Sequence, residues 1–209
     1  MKITQQEPNN FYIANNKNKD NFCLVSGIVT RRENKMDNVD MKRPTLYMEI
    51  VRITGNEICF DEIPLLFSDY SISKTISGYK SGDILTVSGV LAHDENVGVY
   101  INVDAIDKLH QPEKLKSIPY ARATLLKKPH LFNLCILDGI TEDSSHIKIK
   151  RRSLFKGDLK KEDNIPIFYK EDVQPNKPIQ IIGYLGKDTK TGNVIVYTQD
   201  QYIKEKQNK

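Results

Sequence analysis

The densest run of chemically active side chains is His146 to Lys161, HIKIKRRSLFKGDLKK, in which Lys148, Lys150, Arg151, Arg152, Lys156, Lys160 and Lys161 face a single acid, Asp158. Cations packed so closely suit a polyanion, because each phosphate they neutralise releases condensed counterions. Alternation with Ile147 and Ile149 places Lys148, Lys150 and Arg152 on one face of a strand and Arg151 on the other, and Leu154–Phe155 supplies an apolar wedge. A weaker basic loop carries Arg31, Arg32, Lys35, Lys42 and Arg43, diluted by Glu33, Asp37 and Asp40. The competing reading is a solvated hairpin whose charges only keep an edge strand soluble. Flat side chains that could stack on bases are the second ingredient. Tyr47 and Tyr100 fall on the non-core phase of the N-terminal half, with Phe60 and Phe67 beside them; Phe168, Tyr184 and Tyr197 occupy comparable places in the C-terminal half. Aromatics also favour strands for packing alone, which is the structural alternative for each ring.

Catalytic chemistry has little support. The four histidines, His93, His110, His130 and His146, are isolated, and no phosphate-binding loop, nucleophile elbow, HExxH or zinc spacing occurs. Glu142–Asp143, Glu162–Asp163 and Glu171–Asp172 sit in turn-like contexts where acids are ordinary. The expectation is a protein that is not an enzyme and needs no cofactor or metal. Cys23, Cys59 and Cys135 lie singly in strand-like apolar runs, which reads as reduced core thiols rather than disulfides or a metal site. A net charge of +4 is compatible with nucleic acid without demanding it. No apolar run approaches the roughly 18–20 residues of a membrane span, and the polar first twenty-one residues lack the apolar centre of a signal peptide, so the expected location is cytoplasmic.

The segment from Ile63 to Ala92 organises the reading of the elements. A strand to Phe67 is followed by an N-cap at Ser68, an apolar stripe at Ile72, Ile76 and Tyr79, a Lys-Ser-Gly-Asp corner releasing at Gly82, and a strand from Ile84. Three strands are expected before it: Asn21 to Thr30 with a bend or bulge at Gly27, Thr45 to Ile53 after a polar loop from Arg31, and Ile58 to Phe67 with Pro64 at an edge or bulge. A fifth strand covers Val97 to Ile106, so five strands enclose one helix between the third and fourth, the pattern of an OB-fold barrel. After a basic, proline-containing stretch with at most a short helix near Tyr120 to Leu126, the pattern repeats: Leu131 to Ile140, His146 to Ser153, Ile165 to Tyr169 with Pro166, Pro178 to Leu185 and Asn193 to Tyr202. In the repeat, KEDVQPNK replaces the helix. The expected architecture is all-β, two tandem five-stranded OB-fold barrels, the second with a reduced helix. It comprises an arm (1–20), a first barrel (21–107), a linker (108–129), a second barrel (130–204) and a polar tail (205–209).

The phrases FCLVSGIVTRRE, IPLLFSDYSISKTI, YKSGDILTVSGVL and GVYINVDAIDKL make the first repeat resemble bacterial single-stranded DNA-binding proteins over Phe22 to Ile106. That resemblance implies an OB-fold, strand binding without strong sequence preference, work in replication or DNA transfer, and a base-stacking aromatic at Phe67. The family's stacking tryptophans have no match: one seat falls at about Asp61, and the strand-four hairpin holds His93 to Val97. The family's acidic tail has no counterpart in KEKQNK, and two barrels in one chain depart from its usual arrangement.

The Lys-, Asn- and Ile-rich composition suggests an AT-rich genome, and the resulting expectation, resting on the resemblance together with that composition, is a non-catalytic single-stranded DNA-binding protein acting in replication or transfer and encoded on a mobile element. Its expected partners are single-stranded DNA and replication or transfer proteins. The rival readings are an OB-fold scaffold for protein–protein contacts in a replication complex and an RNA-binding module.

Overall fold

The computed structural model describes residues 21–36, 42–55, 57–67, 76, 78–109, 117–127, 132–150, 162–169, 174–199 and 204–205. The first barrel is built from β1 (Asn21–Met36), β2 (Lys42–Thr54), β3 (Glu57–Leu66), β4 (Ile84–Asp94) and β5 (Gly98–Lys108). β1 pairs with β2 and β4, β2 with β3, β4 with β5, and the ring closes where β3 runs parallel to β5 at Leu65↔Ile101 and Leu66↔Asn102. Among the described residues β3 has no partner on this side before Leu65, so Pro64, which has no N–H to donate, sits at the edge position its chemistry requires.

A helix, α1 (Ile118–Leu126), precedes the second barrel of β6 (Asn133–Thr141), β7 (His146–Lys150), β8 (Glu162–Phe168), β9 (Pro178–Lys187) and β10 (Val194–Thr198). Its ring closes by the same parallel step, Ile167↔Val196 and Phe168↔Tyr197, after Pro166. A short β11 (Lys204–Glu205) adds to β9, so part of the expected polar tail is strand.

The barrels join edge to edge. β1 pairs antiparallel with β6 from Asn21↔Leu137 to Val25↔Asn133, with Cys23 opposite Cys135 at the centre. This register is its own mirror: exchanging Asn21 for Asn133 and Val25 for Leu137 reproduces it, so a pseudo-twofold axis passes between the two cysteines. Asn21 and Asn133 show the symmetry in detail. Asn21 Oδ1 accepts from Leu91 N at 3.0 Å and its Nδ2 donates to Leu91 O at 2.8 Å. Asn133 Oδ1 accepts from Leu185 N at 2.9 Å and its Nδ2 donates to Leu185 O at 2.9 Å, and also to Val51 O of the first barrel at 3.1 Å. One apolar core runs beneath the shared sheet through both barrels, from Met48, Ile63 and Leu85 to Ile147, Ile165 and Leu185. Cys23 and Cys135 lie in it as free thiols whose pKa values burial pushes up, while Cys59 is only half-buried.

Several expectations change. Of the polar loop expected from Arg31 to Pro44, residues 31–36 and 42–44 instead pair as an extension of the β1–β2 ladder, and residues 37–41 lie outside the described residues. The bulge of β1 lies between Val29 and Arg31, not at Gly27; Gly27 is needed because an added Cβ would meet the Glu49 carbonyl and the Met48 side chain. Arg52, expected on the polar face of its strand with Tyr47 and Glu49, belongs instead to the inward row of Leu46, Met48 and Ile50 and is buried. α1 is no free linker: Ala121 and Leu125 pack on Ile28, Val51 and Ile84, covering the outer face of the first barrel. Of the expected helix after Ser68, Ile76 is fully buried in the core, and residues 68–75 lie outside the described residues. The arm (1–20) does too.

Candidate nucleic-acid interface

The barrels join along β1–β6, and between their outer walls lies a cleft of about 1650 Å³ lined from both sides. Dyad-related elements form the two walls. Tyr47, Pro64 and the β4–β5 hairpin come from the first barrel; His146, Pro166 and the β9–β10 hairpin come from the second. The register pairs Tyr47 with Pro64 and His146 with Pro166, so Tyr47 and His146 are counterparts.

The second-barrel wall is aromatic. Inward Ile167, Val196 and Leu185 leave Phe168, Tyr197 and Tyr184 facing outward on adjacent strands. Tyr184 and Tyr197 stack with ring centroids 5.3 Å apart and planes 13° from parallel, and Phe168 meets Tyr197 at 5.6 Å. Phe168 is 50% exposed. Tyr197 OH donates to Lys187 O at 2.9 Å, and burial raises its pKa, so the phenol is neutral at physiological pH. Lys187 and Lys190 add cations to this wall, with Asp188 between them.

The first-barrel wall is a charge network. Arg31 lies 3.5 Å from the Tyr47 ring centroid and donates to Glu62 at 3.0 Å; it also pairs with Glu33. Thr30 Oγ1 donates to Glu62 at 2.7 Å. Burial pushes the Glu62 carboxyl up, but the hydrogen bonds from Thr30 and Arg31 outweigh it and hold the pKa below the usual range. An ionised carboxylate on this wall repels phosphate. Glu62→Gln is therefore expected to tighten oligo-dT binding about fivefold at low salt, as removing a partly screened like charge at close range would. Unchanged or weaker binding in a fluorescence-anisotropy titration would count against a phosphate path along this wall.

The structure brings together Arg31, Tyr47, Phe168, Tyr184 and Tyr197 from the sequence-derived set. It separates the other described residues of that set. Phe67 is a core residue, 3% exposed, because it continues the inward row of Ile63 and Leu65. Tyr100 does lie on the outward phase, but it is buried with Leu66, Ala92 and Val97. Phe60 lies beneath Arg122 of α1, whose guanidinium is 4.5 Å from the ring centroid and is held by Glu49. Arg32 is exposed on β1 and is not among the cleft residues. Lys148 and Lys150 share a face as the alternation predicts; Lys148 pairs with Glu142 at 3.5 Å, and neither lines the cleft. Arg151, Arg152, Phe155, Lys156, Lys160 and Lys161 lie outside the described residues.

Arg52 was missed as a site residue although two signals were available, a cation in an apolar row and an acid, Asp61, on the neighbouring strand. Its Nε donates to Asp61 Oδ2 at 2.5 Å, and this bond keeps the guanidinium charged despite burial. Among the described residues no group of three or more His, Cys, Asp or Glu is placed to hold a metal ion, and no helix is long and apolar enough to cross a membrane.

No family model matches the chain, and no curated protein matches it by sequence. Solved structures do match. The wild-type single-stranded DNA-binding protein from Thermus aquaticus aligns with a TM-score of 0.56 at 12% identity, covering 90% of this chain and 94% of that one. A deletion variant of the same protein gives 0.57 at 11% identity, covering 90% and 95%. A Plasmodium falciparum single-stranded DNA-binding protein in complex with single-stranded DNA matches with a TM-score of 0.34 at 20% identity, covering 43% of this chain and 95% of that one. Over 90% of the chain, and so through both barrels, the fold is similar to that of the Thermus aquaticus single-stranded DNA-binding protein.

Proposed function

We propose that this protein binds single-stranded DNA, largely independently of sequence and without catalysis, in the cleft between its barrels. The observation that carries the reading is the outward rank of Phe168, Tyr197 and Tyr184 facing the Arg31–Tyr47 pair across that cleft. Exposed rings on a barrel wall present π-faces that any base can stack on, and nearby cations track a phosphate backbone. The OB-fold supplies the frame for such surfaces, and the proteins from Thermus aquaticus with the similar fold are named as single-stranded DNA-binding proteins. Replication or DNA transfer, with protein partners from those processes, is the setting such an activity would serve.

Titration of fluorescent oligo-dT and of a duplex of equal length at two salt concentrations tests the proposal. Preferential binding of oligo-dT is the expected result; binding of neither at low salt overturns it. Equal affinity and equal salt slopes for both would indicate a charge-driven binder with no single-strand preference. Lys187→Ala together with Lys190→Ala, both on the cleft wall, is expected to reduce the slope of log K against log salt by about 1.4, because each phosphate contact on a single strand contributes about 0.7. A slope equal to that of the wild type would remove the β9–β10 hairpin from the phosphate path.

A further inference from the structure

The two walls of the cleft are related by the pseudo-twofold axis but are not equivalent in chemistry. Cys23 pairs with Gly89 and Cys135 with Gly183, so the following residues, Val90 and Tyr184, are counterparts. The parallel closing steps make Leu66 the counterpart of Phe168, and Asn102 the counterpart of Tyr197. The pairings agree: Val90 lies opposite Asn102 as Tyr184 lies opposite Tyr197. Where the second barrel presents three rings, the first has Leu66, Val90 and Asn102, at 8%, 7% and 1% exposure. At these dyad-related positions the stacking rings therefore belong to the second barrel.

What the first barrel contributes to that surface is Arg52. It is 5% exposed, its Nε is bonded to Asp61 and its Nη1 donates to Thr54 Oγ1 at 2.9 Å. With these partners and so little exposure it is poorly placed to take a phosphate. Its guanidinium carbon instead lies 5.2 Å from the centroid of Tyr197, the ring that contacts both Tyr184 and Phe168. The approach depends on Gly186: an added Cβ there would lie 2.5 Å from Arg52 Cδ and 2.8 Å from Tyr197 Cε2.

We propose that Arg52 is a positioning residue through which the first barrel sets the base-stacking platform of the second, so that the strand is carried on the second barrel and the first acts as its clamp. The inference rests on the single-strand-binding reading. In the clamp, the Arg52–Asp61 pair fixes the guanidinium, the guanidinium fixes Tyr197 by cation–π contact, and Tyr197 fixes the tilt of Phe168 and the stack of Tyr184.

The test is oligo-dT titration of the full chain over a range of salt, for the wild type, Arg52→Met, Arg52→Lys, Tyr197→Ala and the double variant Arg52→Met/Tyr197→Ala. Arg52→Met is expected to weaken binding about tenfold with the salt slope unchanged, Arg52→Lys to recover part of the loss, and Arg52→Met to add nothing in the Tyr197→Ala background. Because Arg52→Met leaves Asp61 buried without its cation, Gly186→Ala serves as a second probe. It displaces Arg52 and Tyr197 without removing a charge, and should weaken binding at constant slope. A slope lowered by about 0.7 in Arg52→Met would mean direct phosphate contact and overturn the proposal, as would losses that multiply in the double variant. Wild-type affinity in both Arg52→Met and Gly186→Ala refutes the positioning role alone; failure of the wild type itself to bind oligo-dT refutes the function beneath it.

Discussion

Alanine at both Phe168 and Tyr184 is expected to reduce affinity for oligo-dT by about thirtyfold or more while leaving the salt dependence and the fold as they are. Base–aromatic stacking is worth about 1–3 kcal/mol per base, so each ring lost corresponds to roughly fivefold or more. Neither side chain carries the core: Phe168 is 50% exposed and Tyr184 is half-buried, both on the outward phase of their strands. Phosphate contacts are untouched, so log K against log salt should run parallel to the wild type. Thermal unfolding followed by circular dichroism serves as the control for folding. A variant pair that binds like the wild type would show that the rings only cover sheet surface. One that binds with a shallower slope would show that the strand reads charge at this wall and not π-faces.

The second large effect concerns the joint between the barrels. Asn133→Ala is expected to destabilise the protein by about 3–5 kcal/mol, whereas Asn21→Ala, its dyad counterpart, should cost less. Asn133 satisfies three backbone groups, Leu185 N, Leu185 O and Val51 O; Asn21 satisfies two, both on Leu91. A buried polar group left without its partner costs about 1–3 kcal/mol, and the additional loss at Asn133 is its bond to Val51 O, which crosses from the second barrel to the first. Urea unfolding monitored by circular dichroism reads both variants, and equal costs would show that the bond to Val51 O contributes nothing. The same change should weaken oligo-dT binding, because the cleft walls lose one of the links that fix their separation.

Much of the barrel frame is legible in the chain. Period-two alternation marks Leu46, Met48 and Ile50, and again Ile147 and Ile149, as inward rows, since neighbouring side chains on a strand must point to opposite faces. Pro64 and Pro166 mark matching edge positions because a residue without an N–H cannot sit between two bonded strands. Phe67 could also have been read as inward from its phase with Ile63 and Leu65; the family resemblance pointed the other way. The boundary of the β1–β2 hairpin was less legible, because a strand that projects beyond its barrel is polar on both faces and looks like a loop.

Alternation determined by itself which residues of each barrel face outward, Tyr47, Phe60, Tyr100, Tyr184 and Tyr197 among them, because that is a local property of the backbone. Which of those outward residues remain at a usable surface was decided only by contacts between segments distant in the chain. Docking of α1 removes Phe60, and packing with Leu66, Ala92 and Val97 removes Tyr100. Pairing of β1 with β6 places Tyr47 opposite the Phe168–Tyr197–Tyr184 rank and brings Arg52 onto Gly186. An antiparallel register between strands more than a hundred residues apart depends on the shape and pairing of two finished barrels, and no period within either strand encodes it.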